Sequence, residues 1–191
     1  QGREFDSDEI EKKRIPKASV HNGARVSKNM KDPYISERSN GSLFMIRKYY
    51  STDFEAIINL LRLNTPHHFD SSEEIDFVRY LQTEADHYFV YDLVGEIVGC
   101  GGINFGFDDG KTARLSWDII HPLRQGKGIG RSLTSYRIEQ IAKKNTVERV
   151  CVRTSQMAYQ FYEKMGFRLE RTERDYWAQG FDLYEMYLDF N

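Results

Sequence analysis

Asp118-Ile119-Ile120-His121-Pro122-Leu123-Arg124-Gln125-Gly126-Lys127-Gly128-Ile129-Gly130-Arg131 reads as the end of a strand, a glycine-rich loop and the start of a helix. The apolar run Leu115, Trp117, Ile119, Ile120 is strand-like and meets Pro122, and the glycines open a helical pattern that continues to Asn145. This order makes an anion site. Backbone N–H groups converge where no side chain blocks approach, and the helix dipole places partial positive charge there. A phosphate-bearing ligand is expected at this loop, the alternative being an ordinary glycine-rich turn.

Spacing narrows the ligand. A P-loop needs G-x-x-x-x-G-K-[ST], whereas Lys127 lies between two glycines with no Ser or Thr after it. The dinucleotide fingerprint needs G-x-G-x-x-G, but Gly126, Gly128 and Gly130 run G-x-G-x-G. Gln125-Gly126-Lys127-Gly128-Ile129-Gly130 fits Q/R-x-x-G-x-G/A instead and closely resembles the acetyl-CoA pyrophosphate loop of the GNAT superfamily of N-acetyltransferases. A second segment, Ala158-Tyr159-Gln160-Phe161-Tyr162-Glu163-Lys164-Met165-Gly166-Phe167, resembles the A-x-x-x-Y-E-K-x-G-F signature of the same superfamily, one helix and one strand downstream. Its local physics is that of a short amphipathic helix. Met157, Ala158, Phe161, Tyr162 and Met165 share one face, and Gly166 suits the position that ends a helix.

Composition sets outer bounds. The 191 residues suit one domain with ample core material, and 40% hydrophobic with 29% charged residues reads as a globular chain. No apolar run approaches the roughly 18 residues of a membrane span, so no membrane role is expected. Cys100 and Cys151 sit inside apolar strand-like runs, which favours buried reduced thiols over a disulfide. No secretory signal precedes the fold, which favours the cytoplasm. Residues 1–44 mix charge with Ser, Asn, Gly and Pro without an apolar period, and are expected to be a flexible segment, either a leader around a protease-cleavage scar or a native regulatory extension. They hold 9 Lys+Arg and 7 Asp+Glu, leaving 18 and 22 in residues 45–191. That acidic balance without a basic cluster makes nucleic acid an unexpected partner.

The elements follow in a consistent order. A first strand is expected from Leu43 to Tyr50. Thr52–Glu55 is read as a capping box for a helix with Phe54, Ile57, Ile58 and Leu61 inward. Ser71–Glu74 is read as the cap of a second helix with Ile75, Val78 and Leu81 inward. Strands are expected at His87–Val94 and Ile97–Phe107, with a turn at Asp108-Asp109-Gly110. The glycine-loop helix comes next, then a strand at Val147–Val152, a helix from Ser155, and strands near Phe167–Glu173 and Phe181–Asp189. This is an α/β (α+β) fold, a mixed, mostly antiparallel sheet of about six to seven strands flanked by about four helices, and it matches the superfamily over residues 45–191.

The resemblance implies an enzyme that carries acetyl from acetyl-CoA directly to a primary amine of a small molecule or peptide, with no covalent intermediate. A homodimer is compatible with it. A different class, a non-catalytic acyl-CoA-binding sensor or scaffold, would keep the loop without needing Tyr162, and an unrelated nucleotide-binding domain would prefer ATP or NAD. By the resemblance Tyr162 is the proton donor to the departing thiolate, the competing reading being a core tyrosine. Asp118 is the candidate base for the amine, or the partner of a basic neighbour. The cofactor would lie on Ile119, Ile120, Gln125, Gly126, Lys127, Gly128, Ile129, Gly130, Arg131 and Ser155.

Alternation along the strand puts Leu115, Trp117 and Ile119 on one face and Ser116, Asp118 and Ile120 on the other. The superfamily usually carries a β-bulge at the position of Ile119-Ile120, which would free backbone groups for the thioester and pantetheine arm. Two departures stand out. Ser155 replaces the Asn that relatives often place at the cap of the second motif's helix. Val150 replaces the Glu that tends to occur in enzymes acetylating ribosomal-protein N-termini. His67-His68 follows a proline break and reads as loop, not as a metal site. Glu73, Glu74 and Asp76 suit a helix N-terminus and would also attract a cationic amine. Tyr176, Trp177 and Phe181 are read either as lining of an acceptor pocket or as cover for the sheet.

Overall fold

The computed structural model describes residues 34–37 and 43–190. Among them eight strands form one sheet: β1 (Tyr34–Glu37), β2 (Leu43–Lys48), β3 (Tyr88–Leu93), β4 (Glu96–Phe107), β5 (Thr112–Ile120), β6 (Arg149–Thr154), β7 (Arg168–Ala178) and β8 (Phe181–Asp189), in the order β1-β2-β3-β4-β5-β6-β8-β7. The β5–β6 pair is parallel and the other pairs are antiparallel. Four α-helices accompany the sheet: α1 (Phe54–Asn64), α2 (Glu73–Thr83), α3 (Ile129–Ala142) and α4 (Tyr159–Glu163). This is the mixed, mostly antiparallel architecture expected. Most of the 1–44 segment lies outside the described residues; within it, Tyr34–Glu37 pairs with β2 from Tyr34 opposite Ile46 to Glu37 opposite Leu43, a strand that the sequence pattern does not announce.

Two cores flank the sheet. Ile129, Leu133 and Ile141 of α3 and Tyr162 of α4 pack with Ala113, Leu115, Val150, Val152 and Met186 on one face. Ile57, Ile58, Leu60 and Leu61 of α1 and Phe77, Tyr80 and Leu81 of α2 pack with Tyr88, Val90, Cys100 and Ile119 on the other. Ile75, expected inward, is 77% exposed. The larger rings of Phe77 and Tyr80 take the sheet-facing positions against Tyr88 and Trp117, and Ile75 lies about 200° round the helix from Phe77.

The β-bulge falls at Trp117-Asp118, two residues earlier than expected. Cys100 pairs with Ile119 and Gly102 with Ser116, so Trp117 and Asp118 together oppose Gly101. Trp117 takes up the extra residue at φ 52, a left-handed conformation that costs a bulky side chain about 1–3 kcal/mol. The bulge also reverses the alternation. Leu115 belongs to the α3 core, while Trp117 and Ile119 pack with α1 and α2, so these three do not share a face.

Two helix starts differ from their expected caps. Thr52 does not cap α1, which starts at Phe54; Asp53 precedes it without capping, its carboxylate accepting both Nη groups of Arg47, at 2.7 and 3.0 Å, and the Tyr50 N–H at 2.9 Å. The second motif's helix begins at Tyr159, not Ser155; Ser155 closes the preceding turn, its Oγ accepting the Met157 N–H. Met157 is accordingly exposed rather than on the helix's buried face. The other end is as expected. Gly166 has φ 95, its N–H reaches the Glu163 carbonyl and the Phe167 N–H the Tyr162 carbonyl, which closes the helix in a Schellman motif.

Leu133 is wholly buried between α3 and the sheet, so Leu133→Ala should cost about 2–5 kcal/mol in chemical denaturation. Asp53 supplies a pH-dependent contribution. Burial pushes its carboxyl up, but the bonds from Arg47 and the Tyr50 N–H outweigh it and hold the group below its ordinary value. Folding therefore lowers its proton affinity. The stabilisation is complete above the unfolded carboxylate value of about 3.9 and fades as the pH falls through the folded one. Denaturation midpoints followed from neutral to acidic pH should fall less for Asp53→Asn than for the parent.

Candidate active site

Strands β5 and β6 share a ladder only from Thr112–Arg149 to Leu115–Val152. Beyond Leu115, β5 runs on to Ile120 with no partner on that side, and β6 continues along β8 to Thr154. The parting opens a cleft of about 880 Å³ in the middle of the sheet. A cleft of this size suits a cofactor or a small substrate. The two sequence motifs meet there because each follows one of the parting strands: the glycine loop leaves β5, and the second motif leaves β6.

Gly126 and Gly128 hold φ values of 70 and 82, and Gly128 precedes α3 with no side chain capping the helix. The first N–H bonded back into the helix is that of Ser132, to the Gly128 carbonyl at 3.0 Å. The N–H groups of Ile129, Gly130 and Arg131 therefore lie in the first turn, where no intrahelical acceptor exists. Gly130 lies against Phe161; a Cβ there would meet the ring at 3.5 Å. A helix N-terminus open to the cleft and bordered by glycine fits the pyrophosphate of acetyl-CoA.

The expected cofactor residues divide by position. Ile120, Gln125, Gly126, Gly128, Gly130, Arg131 and Ser155 line the cleft. Ile119 and Ile129 are core side chains, leaving only their backbone for a ligand. Lys127 bonds the Leu123 carbonyl at 2.9 Å. Gln125 donates to Asn64 Oδ1 at 3.2 Å and to the Ile120 carbonyl, tying the loop to the end of α1.

Asp118 and Tyr162 are brought together. The Tyr162 hydroxyl donates to Asp118 Oδ2 at 2.5 Å, and the other carboxylate oxygen accepts Arg137 Nη2. Burial first, then the Asp118 charge, push the Tyr162 phenol well above its ordinary value, while Arg137 works against both. Asp118 thus has a basic partner, and Tyr162 stands as a neutral phenol at the cleft. Arg137 is a residue that the sequence reading missed. Its signal was a cation in the stripe Ile129, Leu133, Arg137, Ile141, whose other members recur every four residues and are buried and apolar.

The α2 side of the cleft is polar and aromatic. The Tyr80 and Ser116 hydroxyls both donate to Asn104 Oδ1, at 3.1 and 2.6 Å. Trp117 lies there against Phe69 and Phe77. Glu73 and Glu84 line the same wall, and burial pushes the Glu73 carboxyl up. Arg114 lies over the Phe107 ring at 4.1 Å with a buried Nε that has no hydrogen-bond partner. Trp177 and Phe181 also line the cleft. His121 stays in the loop, accepting the Leu123 N–H. Both cysteines are free and buried, and burial raises the Cys100 thiol to about 12 and the Cys151 thiol above its ordinary value. Neither is a thiolate nucleophile near neutral pH. Among the described residues no cluster of His, Cys, Asp and Glu has the arrangement of a metal site, and no helix is long and apolar enough to cross a membrane.

Comparison with known proteins places this geometry. Residues 84–169 match the profile of the acetyltransferase (GNAT) domain. The N-alpha-acetyltransferase of Sulfurisphaera tokodaii is 29% identical over 168 residues, covering 79% of this chain and 96% of its own length. Two solved structures share the fold. The ribosomal-protein-S18-alanine N-acetyltransferase of Escherichia coli matches with TM-score 0.64 at 20% identity, over 76% of this chain and 93% of its own. The yncA protein of Salmonella typhimurium, solved with its cofactor acetyl-CoA, matches with TM-score 0.61 at 19% identity, over 78% and 94%. The glycine loop and the Tyr162 helix both lie within the matched residues, and the chain carries a GNAT acetyltransferase domain and is similar to N-acetyltransferases.

Proposed function

We propose that this acetyltransferase moves the acetyl group of acetyl-CoA directly to a primary amine of a peptide or small molecule, foremost the α-amine of a polypeptide N-terminus. The observation that carries this reading is the parting of β5 and β6, which joins an open helix N-terminus to a buried phenol across one cleft. When bound, acetyl-CoA supplies an activated thioester. The glycine loop and the first turn of α3 would hold its pyrophosphate. The free edge of β5 between Ser116 and Ile120 would orient the acyl arm beside Tyr162. The amine would attack the carbonyl, forming C–N as C–S breaks; Tyr162 would pass its proton to the departing sulfur, and the surplus proton of the new amide nitrogen would restore the phenol. The high thiol values of both cysteines support direct transfer without an acyl-cysteine stage.

The acceptor must lose a proton before it attacks. A lysine amine, with a pKa of about 10.4, is neutral in only roughly one molecule in a thousand at physiological pH; an α-amine near 7.8 is neutral in roughly a quarter. Asp118 already has both oxygens engaged. A site with so little committed to deprotonation suits an α-amine, in keeping with the name of the S. tokodaii relative. Glu73 and Glu84 would draw the amine to the α2 wall, where Glu73 is the better placed proton acceptor because burial raises it.

Calorimetric titration of the full chain should show one saturable site for acetyl-CoA with ATP and NAD silent; no binding of any CoA form would overturn the reading. Gly128→Val, forced into a left-handed conformation at the loop, should weaken that binding by about tenfold or more. Tyr162→Phe should keep acetyl-CoA binding while kcat with a peptide acceptor falls by about 10²–10⁴-fold, the usual contribution of a positioned acid. An unchanged kcat would remove Tyr162 from the chemistry.

A further inference from the structure

We propose that Arg137 is a positioning residue for acetyl transfer, a buried cation on α3 that fixes Asp118 and, through it, the Tyr162 hydroxyl at the open edge of β5. The inference rests on the acetyl-transfer reading and adds to it a residue that lies in neither motif. The Arg137 side chain has no solvent exposure, and each of its three nitrogens donates to a named acceptor. Nε reaches the Leu133 carbonyl at 3.2 Å, Nη1 the Gly102 carbonyl at 3.1 Å, and Nη2 both Thr134 Oγ1 at 3.2 Å and Asp118. Three elements are thereby tied at one point: α3 itself, β4 through Gly102, and β5 through Asp118. Tyr162 brings in α4.

Folding alone does not call for a charged pair here. Ile129, Leu133 and Ile141 flank it on the same stripe, and apolar residues of similar volume commonly replace a buried ion pair without loss of stability. The fold also clears space for the pair. A Cβ at Gly101 would come within 2.5 Å of both Arg137 Nη1 and Asp118 Oδ1. A charge kept at such cost beside a candidate proton donor points to chemistry.

The physical role follows from charge balance. A carboxylate alone beside Tyr162 would hold the phenol's proton and oppose the negative charge left on its oxygen after donation. Arg137 cancels that carboxylate, so Asp118 aligns the hydroxyl without locking its proton. The other titratable groups facing the pair are Tyr80 on α2, Tyr88 on β3 and Cys100 on β4. Burial raises all three and keeps them neutral, so Arg137 is the cation that balances Asp118.

Arg137→Met, Asp118→Asn and the double variant test this with acetyl-CoA and an N-terminal peptide acceptor. Arg137→Met should lower kcat by about tenfold or more, with KM for acetyl-CoA within about twofold of the parent. Arg137→Lys should recover part of kcat, since it restores the charge without the forked geometry. The double variant should be no slower than Arg137→Met alone. An active parent whose Arg137→Met variant keeps the parental kcat, or whose double variant is strictly additive, overturns the inference and leaves the acetyl-transfer reading standing. A parent that binds acetyl-CoA yet acetylates no amine overturns both. If Arg137→Met fails to fold, Arg137→Lys carries the test: a lowered kcat at unchanged KM supports the inference, and parental kinetics overturn it.

Discussion

The site depends on an interrupted ladder. Backbone N–H and C=O groups inside a protein are almost always paired, and a sheet satisfies them by keeping its strands about 4.8 Å apart. Between β5 and β6 that pairing ends after four residues, although both strands continue. A gap in mid-sheet would be costly if nothing filled it, and here it opens onto a cleft that reaches solvent. The chain emerging from β5 must turn at once to avoid the gap, and Pro122 with the glycines of the loop makes that turn. The chain emerging from β6 turns through Ser155 into α4. Helix N-terminus and phenol then face each other across the opening as a geometric result of the parting.

The centre of β4 is shaped by what crosses it. In Gly99-Cys100-Gly101-Gly102 the glycines make room for three separate approaches. A Cβ at Gly99 would strike Ile120, one at Gly101 would strike Arg137 and Asp118, and one at Gly102 would strike Tyr80 and Tyr88. Glycine weakens a strand, since it brings no side chain to pack and loses more entropy on ordering. Here the loss is accepted because large groups converge from both faces: α2 sends rings in from one side, and α3 sends a guanidinium from the other. Tyr88 adds a further tie, its hydroxyl donating to the Trp117 carbonyl at the bulge.

Much of this was legible in the sequence, and the misses share a cause. Local chemistry announced the glycine loop, the turn at Asp108–Gly110, the helix end at Gly166 and most strand centres. What stayed hidden depends on partners distant in the chain. The bulge lies at Trp117-Asp118 because Gly101 on β4 leaves space there, and no pattern within β5 states that. Ile75 and Phe77 are both apolar, and only the aromatic surface beneath α2 decides which turns inward. Thr52 was read as a cap because Thr52–Glu55 has the right spacing, but the helix starts one residue later, after Asp53, whose carboxylate is bonded to Arg47 and the Tyr50 N–H. Arg137 was visible as a cation out of place in an apolar stripe, and its meaning required Asp118 to be brought beside it. Tyr34–Glu37 became a strand through pairing with β2 rather than through any period of its own.

The conformation of Trp117 has an optical corollary. The chain holds two tryptophans, and both Trp117 and Trp177 line the cleft. Trp117 lies among Phe69, Phe77 and Tyr80 at the bulge, and Trp177 lies beside Tyr176 on β7. Indole emission responds to the polarity and quenching groups around the ring, and in most proteins it averages over rings scattered through the fold. Here the indole emission of the molecule originates at the walls of a single opening, so the protein carries its own spectroscopic label at the place where its substrates would meet.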